Sequence, residues 1–126
     1  MHLESFLEKL AEELNLEAIP QKDKNNCFQL KIQALPPIAL KELEPGIFLS
    51  ARMMELPKEG NKEALYIYLM KANLMGQGTG GAVIGIDAAE KYLTFSQTLS
   101  FEVNYKIFRD TLEDFFNYID YWKEEI

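Results

Sequence analysis

A chain of 126 residues and 14.5 kDa has the length of one ordinary domain and can bury on the order of two-thirds of the surface that its unfolded form exposes. Its composition, 48% hydrophobic and 26% charged, sets it apart from disordered and membrane-embedded classes. A formal charge of −7 and a pI near 4.7 argue against a nucleic-acid partner, which is held by clustered Lys and Arg that displace counterions.

The chain begins with an amphipathic segment. Leu3, Phe6, Leu7, Leu10 and Leu14 recur at steps of three and four, opposite Glu4, Ser5, Glu8, Lys9, Glu12 and Glu13, which predicts a helix with one apolar stripe. The glutamates and Lys9 interrupt the continuous apolar core that a signal peptide needs, and no stretch approaches the ~18 apolar residues of a membrane span. The expectation is a soluble, cytoplasmic protein with no membrane partner. A polar run, Gln21 to Asn26, reads as an exposed loop.

From Cys27 the period changes to two. Phe28, Leu30 and Ile32 alternate with Cys27, Gln29 and Lys31, the pattern of a strand with one buried face. Pro36 and Pro37 break the ladder, because proline cannot donate to it. A short strand over Ile38 to Leu43, the turn Glu44-Pro45-Gly46 and a longer run from Ile47 to Leu56 complete an antiparallel meander, which Pro57 stops.

Asn61 is placed to cap a helix from about Lys62 to Met75, with Glu63 in its favourable first turn. That helix is apolar on more than one side. Leu65, Tyr68, Leu69 and Ala72 form one stripe; Ile67, Met70 and Leu74 form another. A helix lying on a small sheet needs a single stripe, so the second calls for another partner: a second copy of the chain, or alternatively the last helix or a loop.

Next comes Gly76-Gln77-Gly78-Thr79-Gly80-Gly81, which spells G-x-G-x-x-G. A dinucleotide loop follows a strand and opens a helix, so that free amides face the pyrophosphate. Here the order is reversed, with a helix before the glycines and a strand, Ala82 to Ile86, after them. Free carbonyls at a helix C-terminus repel phosphate, and Ala82 stands where a Walker loop needs Lys. The glycines are expected to turn the helix back into a strand, with Gly76 as its left-handed cap. Gly85 allows a bulge or a close backbone contact. Asp87 to Glu90 makes a turn, and Leu93, Phe95 and Leu99 mark the return strand. Phe108, Leu112, Phe115, Ile119 and Trp122 then form a long helical seam, capped by Asn104 or Ser100 and widened by Phe116, Tyr118 and Tyr121. The predicted fold class is α+β: helix, three strands, helix, two strands, helix, with an antiparallel sheet packed against helices in a single domain over residues 1–126.

No catalytic constellation emerges. His2 is the sole histidine and Cys27 the sole cysteine, so no internal disulfide can form and a zinc site would rest on carboxylates. Cys27 reads as a packing residue. Asp110, Glu113, Asp114 and Asp120 fall on the polar side of the last helix, and Ser50, Ser96 and Ser100 have no histidine to activate them. The expectation is a protein that is not an enzyme, with no metal and no cofactor.

Leu69-Met70-Lys71-Ala72-Asn73, followed after a glycine-bearing spacer by Gly80-Gly81, a strand and Asp87, resembles the signature of the type III secretion chaperones of the Tir chaperone (CesT-like, class I) family. The leucine-rich first helix, the element order, the acidic charge and the aromatic seam ending in Trp122 extend the likeness over nearly the whole chain; the glycine-rich spacer departs from it. The resemblance implies a cytoplasmic bacterial homodimer that binds the N-terminal region of a secreted effector as an extended chain and keeps it export-competent, with the secretion apparatus as a further partner. It implies a dimer contact through Leu65, Tyr68, Leu69, Ala72 and Asn73, and effector contacts drawn from Leu3, Leu7, Leu10, Phe28, Leu30 and Ile32. The alternatives are a regulator or adaptor of the same fold without cargo, and a small nucleotide-binding protein using the Gly76–Gly81 loop.

Overall fold

The computed structural model describes residues 3–16, 18–32, 36–100 and 102–126, without the side chain of Met75; His2 therefore lies outside the described residues. The elements run α1 (Leu3–Glu13), β1 (Phe28–Leu30), β2 (Ile38–Leu43), β3 (Gly46–Glu55), α2 (Lys62–Asn73), β4 (Val83–Ile86), β5 (Tyr92–Leu99) and α3 (Tyr105–Glu125). This is the predicted order, and three boundaries differ from expectation. β1 ends at Leu30, whose partner Ile38 opens β2 directly after Pro37, so the ladder has no further donor to offer Ile32. α2 ends at Asn73 and tightens into a 3-10 turn over Leu74–Gly76. Ala82 precedes β4 because Thr79 takes both of its backbone groups.

The strands form one antiparallel sheet in the order β1-β2-β3-β5-β4, with one register shift between Arg52 and Met54. Alternation sends Phe28, Leu30, Ile38, Leu40, Ile47, Leu49, Ala51, Leu93 and Phe95 to one face. There they meet Leu3, Leu7 and Leu10 of α1 and Phe108, Leu112, Phe115, Ile119 and Trp122 of α3 in a single core. Phe95 and Phe115 touch across this layer with ring centroids 5.0 Å apart. Each such side chain contributes roughly 1.5–3 kcal/mol by leaving water. The backbone N–H of Leu3 donates to Glu42 Oε1 at 2.6 Å, pinning the start of α1 to β2. Phe6 packs between α1 and α3 against the rings of Tyr105 and Phe108.

Both predicted caps on the later helices are in place. Asn61 accepts the Ala64 N–H at 3.1 Å, and Asn104, rather than Ser100, accepts the Ile107 N–H at 2.8 Å, each satisfying an amide that the helix leaves free. Among the described residues no helix is long and apolar enough to cross a membrane.

Candidate partner-binding surface on the second helix

α2 sits at the β4 end of the sheet and buries one residue, Leu69. Leu65, Tyr66 and Ala72 lean against the core and are half-buried. The second stripe stays outside: Ile67 is 47%, Met70 70% and Leu74 61% exposed. Val83 and Ile86 of β4 add further exposed apolar side chains. A twelve-residue helix is marginal alone, and an uncharged apolar stripe of this kind marks an interaction surface.

What ties α2 to the sheet is Asn73. Its side-chain amide donates to the Ile84 carbonyl and accepts the Ile84 N–H, both at 2.8 Å. The glycine segment then folds back on itself. The amides of Gln77, Gly78, Thr79, Gly81 and Ala82 all donate to carbonyls between Ala72 and Thr79, which leaves them unavailable to a phosphate. Gly76, Gly80 and Gly81 hold φ of +71°, +65° and +95°, the left-handed region that disfavours a Cβ. At Gly80 a Cβ would also collide with the Tyr118 ring. Trp122 Nε1 donates to the Gly78 carbonyl at 2.9 Å, locking the loop to the end of α3.

Between α2 and α3 this leaves a groove of about 650 Å³ lined by Tyr68, Lys71, Ala72, Tyr118, Tyr121 and Trp122. Tyr68 and Tyr121 each meet the Trp122 ring edge-on, at 5.5 and 5.2 Å. Desolvation, and behind it the Glu125 carboxylate 3.5 Å away, pushes the Tyr68 hydroxyl pKa up. At the opposite end of the sheet, a smaller cleft of about 380 Å³ lies between α1 and β1, walled by Glu4, Glu8, Glu42, Lys22 and Phe28. Among the described residues, no group of three His, Cys, Asp or Glu comes together as a metal site would require.

The residues singled out from the sequence are thus distributed unevenly. Leu3, Leu7, Leu10, Phe28 and Leu30 lie in the subunit core and Ile32 is partly buried at its margin. The first five are buried within the chain itself, whereas the resemblance implied effector contacts drawn from among them. The physical reason is that α1 has one stripe, and the sheet uses it. Of the residues expected at the dimer contact, Tyr68 is exposed, Leu65 and Ala72 are half-buried, Leu69 is buried and Asn73 is engaged with β4. Val83, Ile86 and Tyr121, also exposed, were not among the residues singled out. The signal for the first two was available in Val83-Ile84-Gly85-Ile86, which is apolar or neutral on both faces.

The family model for the Tir chaperone protein (CesT) family matches residues 5–123. The Chlamydia pneumoniae protein CPj0713/CpB0740 is 26% identical over 125 residues, covering 98% of this chain and 95% of its own. A chain of the ExsC–ExsE complex superposes with a TM-score of 0.78 at 17% identity, covering 98% of this chain and 96% of that one. For a chain of the HopA1–SchA chaperone–effector complex the TM-score is 0.70 at 13% identity, with coverages of 95% and 91%. A chain of the heterodimeric ExoU–SpcU complex from the Pseudomonas aeruginosa type III secretion system gives 0.62 at 12%, with coverages of 94% and 88%. At such identities the superpositions speak for a common fold, and the family match runs through nearly the whole of it. The chain belongs to the Tir chaperone protein (CesT) family.

Proposed function

We propose that the protein is a type III secretion chaperone that binds the N-terminal region of a secreted effector as an extended chain and keeps it export-competent in the bacterial cytoplasm. Its role is non-enzymatic. The solved relatives include a chaperone–effector complex, and the observation on this chain that carries the reading is the exposed stripe Ile67, Met70 and Leu74 on a helix that buries only Leu69. Two subunits meet through this stripe, with Leu65, Tyr68, Ala72 and the flanking β4 side chains at its border, while Leu69 and Asn73 support it from behind. Dimerisation doubles the guest-holding surface and lets several weak segments act together.

An extended guest gains about 0.5–1.5 kcal/mol net for each backbone hydrogen bond that it makes to a sheet edge, and its alternate side chains enter apolar positions. Among the residues expected to face cargo, Ile32 offers surface; Leu3, Leu7, Leu10, Phe28 and Leu30 shape the layer beneath. Glu4, Glu8 and Glu42 along the neighbouring cleft favour a guest that carries basic residues among its apolar ones.

The test is co-expression with the N-terminal segments of proteins encoded beside this one, followed by light scattering at micromolar concentration. The expected outcome is a particle containing two copies of the chain and a protease-sensitive guest held soluble. A chain that stays at monomer mass and solubilises none of those segments overturns the reading.

A further inference from the structure

β4 is an edge strand, and its sequence, Val83-Ile84-Gly85-Ile86, is rich in β-branched residues and contains no charge and no proline. Such a strand is a ready template for pairing with another chain. Natural edges are blunted by lysine, proline, bulges or cover, and β4 itself carries neither a lysine nor a proline. Its outward backbone groups are instead occupied from within. Asn73 Nδ2 donates to the Ile84 carbonyl and Asn73 Oδ1 accepts the Ile84 N–H, each at 2.8 Å. Just before the strand, the Thr79 carbonyl accepts the Ala82 N–H at 3.2 Å and the Thr79 hydroxyl donates to the Ala82 carbonyl at 2.5 Å.

In an antiparallel pair, alternate residues turn their N–H and C=O groups away from the partner strand. Ala82, Ile84 and Ile86 therefore form the outward series of β4, and Thr79 and Asn73 close the first two. A carboxamide suits this place because it presents one donor and one acceptor side by side, as a strand residue does; a carboxylate offers no donor and a leucine neither. On the opposite edge, β1 is met by the chain that precedes it: Lys22 bridges Phe28, the Asp23 N–H donates to the Cys27 carbonyl at 2.9 Å and Asp23 Oδ1 accepts the Cys27 N–H at 3.1 Å.

We propose that Asn73, assisted by Thr79, is an edge guard: it mimics a strand partner at Ile84 and closes β4 to strand addition by a second copy of this chain.

The experiment compares the wild-type chain with Asn73→Ala by amide hydrogen exchange and light scattering. In the wild type the Ile84 N–H is expected to exchange roughly tenfold more slowly than that of Ile86, which has no guard, the ratio that one net hydrogen bond supplies. In Asn73→Ala that difference disappears and species heavier than the wild type form at the same concentration. Adding Ile86→Lys, a charge on the half-exposed end of the same strand, removes the species heavier than the wild type. A merely structural role for Asn73 would not be rescued in this way. Equal exchange at Ile84 and Ile86 in the wild type overturns the proposal. So does a variant that loses protection with unchanged mass, or one whose excess mass survives Ile86→Lys. Should Asn73→Ala fail to fold, Asn73→Asp takes its place: it keeps the acceptor for the Ile84 N–H, loses the donor, and is expected to shift both readings the same way by less. Failure of effector capture would leave every one of these outcomes readable.

Discussion

Helices α1 and α2 are nearly equal in length, 11 and 12 residues, and both place leucines at helical spacing; α1 buries Leu3, Leu7, Leu10 and Ala11, whereas α2 buries Leu69 alone. The difference lies in what stands opposite the leucines. Around α1 the other faces carry Glu4, Glu8, Glu12 and Glu13, so one orientation satisfies the whole helix and the sheet consumes the stripe. Around α2 the other face carries Ile67, Met70 and Leu74, and no orientation on a single sheet edge hides both sets. An apolar stripe therefore reports a contact without saying whose. The stripe with a polar counterface is consumed within the chain; the pair of stripes leaves one exposed, the one that the proposed dimer contact uses.

The largest expected effects break or sharpen this comparison directly. Leu7→Ala removes a fully buried side chain and is expected to cost about 2–5 kcal/mol in urea unfolding. Met70→Asp alters a side chain that is 70% exposed, and is expected to leave the stability of the isolated subunit within about 0.5 kcal/mol while lowering the solution mass, since it places an unpaired charge in the proposed contact. Leu69→Asp is the poorer probe of assembly, because Leu69 belongs to the subunit core as well. Should Met70→Asp destabilise the monomer as severely as Leu7→Ala, the two helices are equivalent and the distinction fails.

An intermediate effect is expected where α2 turns back into β4. Gly80 holds φ +65° against the Tyr118 ring, and Gly80→Ala adds a Cβ to a left-handed residue at a cost of about 1–2 kcal/mol. Because Trp122 and Gly78 tie this loop to α3, the loss is expected to appear in the global unfolding transition and not as local fraying. An unchanged midpoint would mean that the segment bears no load.

How far these features could be read from the sequence follows from their range. The helix caps at Asn61 and Asn104 act over three residues, and the alternation in β2, β3 and β5 is local, so both were legible. The reversed order of helix, glycines and strand argued against a phosphate loop, and the amides of Gln77, Gly78, Thr79, Gly81 and Ala82 are turned to carbonyls of the same segment. The apolar side of α1 was legible too; that the sheet buries Leu3, Leu7 and Leu10 was not, because spacing does not tell which surface covers a stripe. Asn73 was read as a contact residue. Its bond to Ile84 spans 11 residues and depends on how a glycine loop folds, which no local pattern encodes.

The smallest effect concerns the two ends of the sheet together. Beside β1, Asp23 Oδ1 accepts the N–H groups of Asn25 at 2.8 Å and Cys27 at 3.1 Å; in the β4–β5 turn, Asp87 Oδ1 accepts those of Lys91 at 2.8 Å and Tyr92 at 3.1 Å. These backbone donors, Cys27 foremost for Asp23 and Tyr92 foremost for Asp87, hold both carboxyl pKa values below the ordinary 3.8. A carboxylate depressed in the folded state stabilises it at every pH above the unfolded value, and that contribution fades as pH falls from about 3.8 through the lower folded value. Both turns face solvent, so the slope is expected to be shallow and weaker at high salt. Asp23→Asn and Asp87→Asn should each flatten the acid limb of a stability-versus-pH curve and leave the region above pH ~5 parallel to the wild type. A limb that one substitution flattens and the other leaves untouched would show that acid opens the β1 edge and the β4 edge separately, giving each end of the sheet its own local stability.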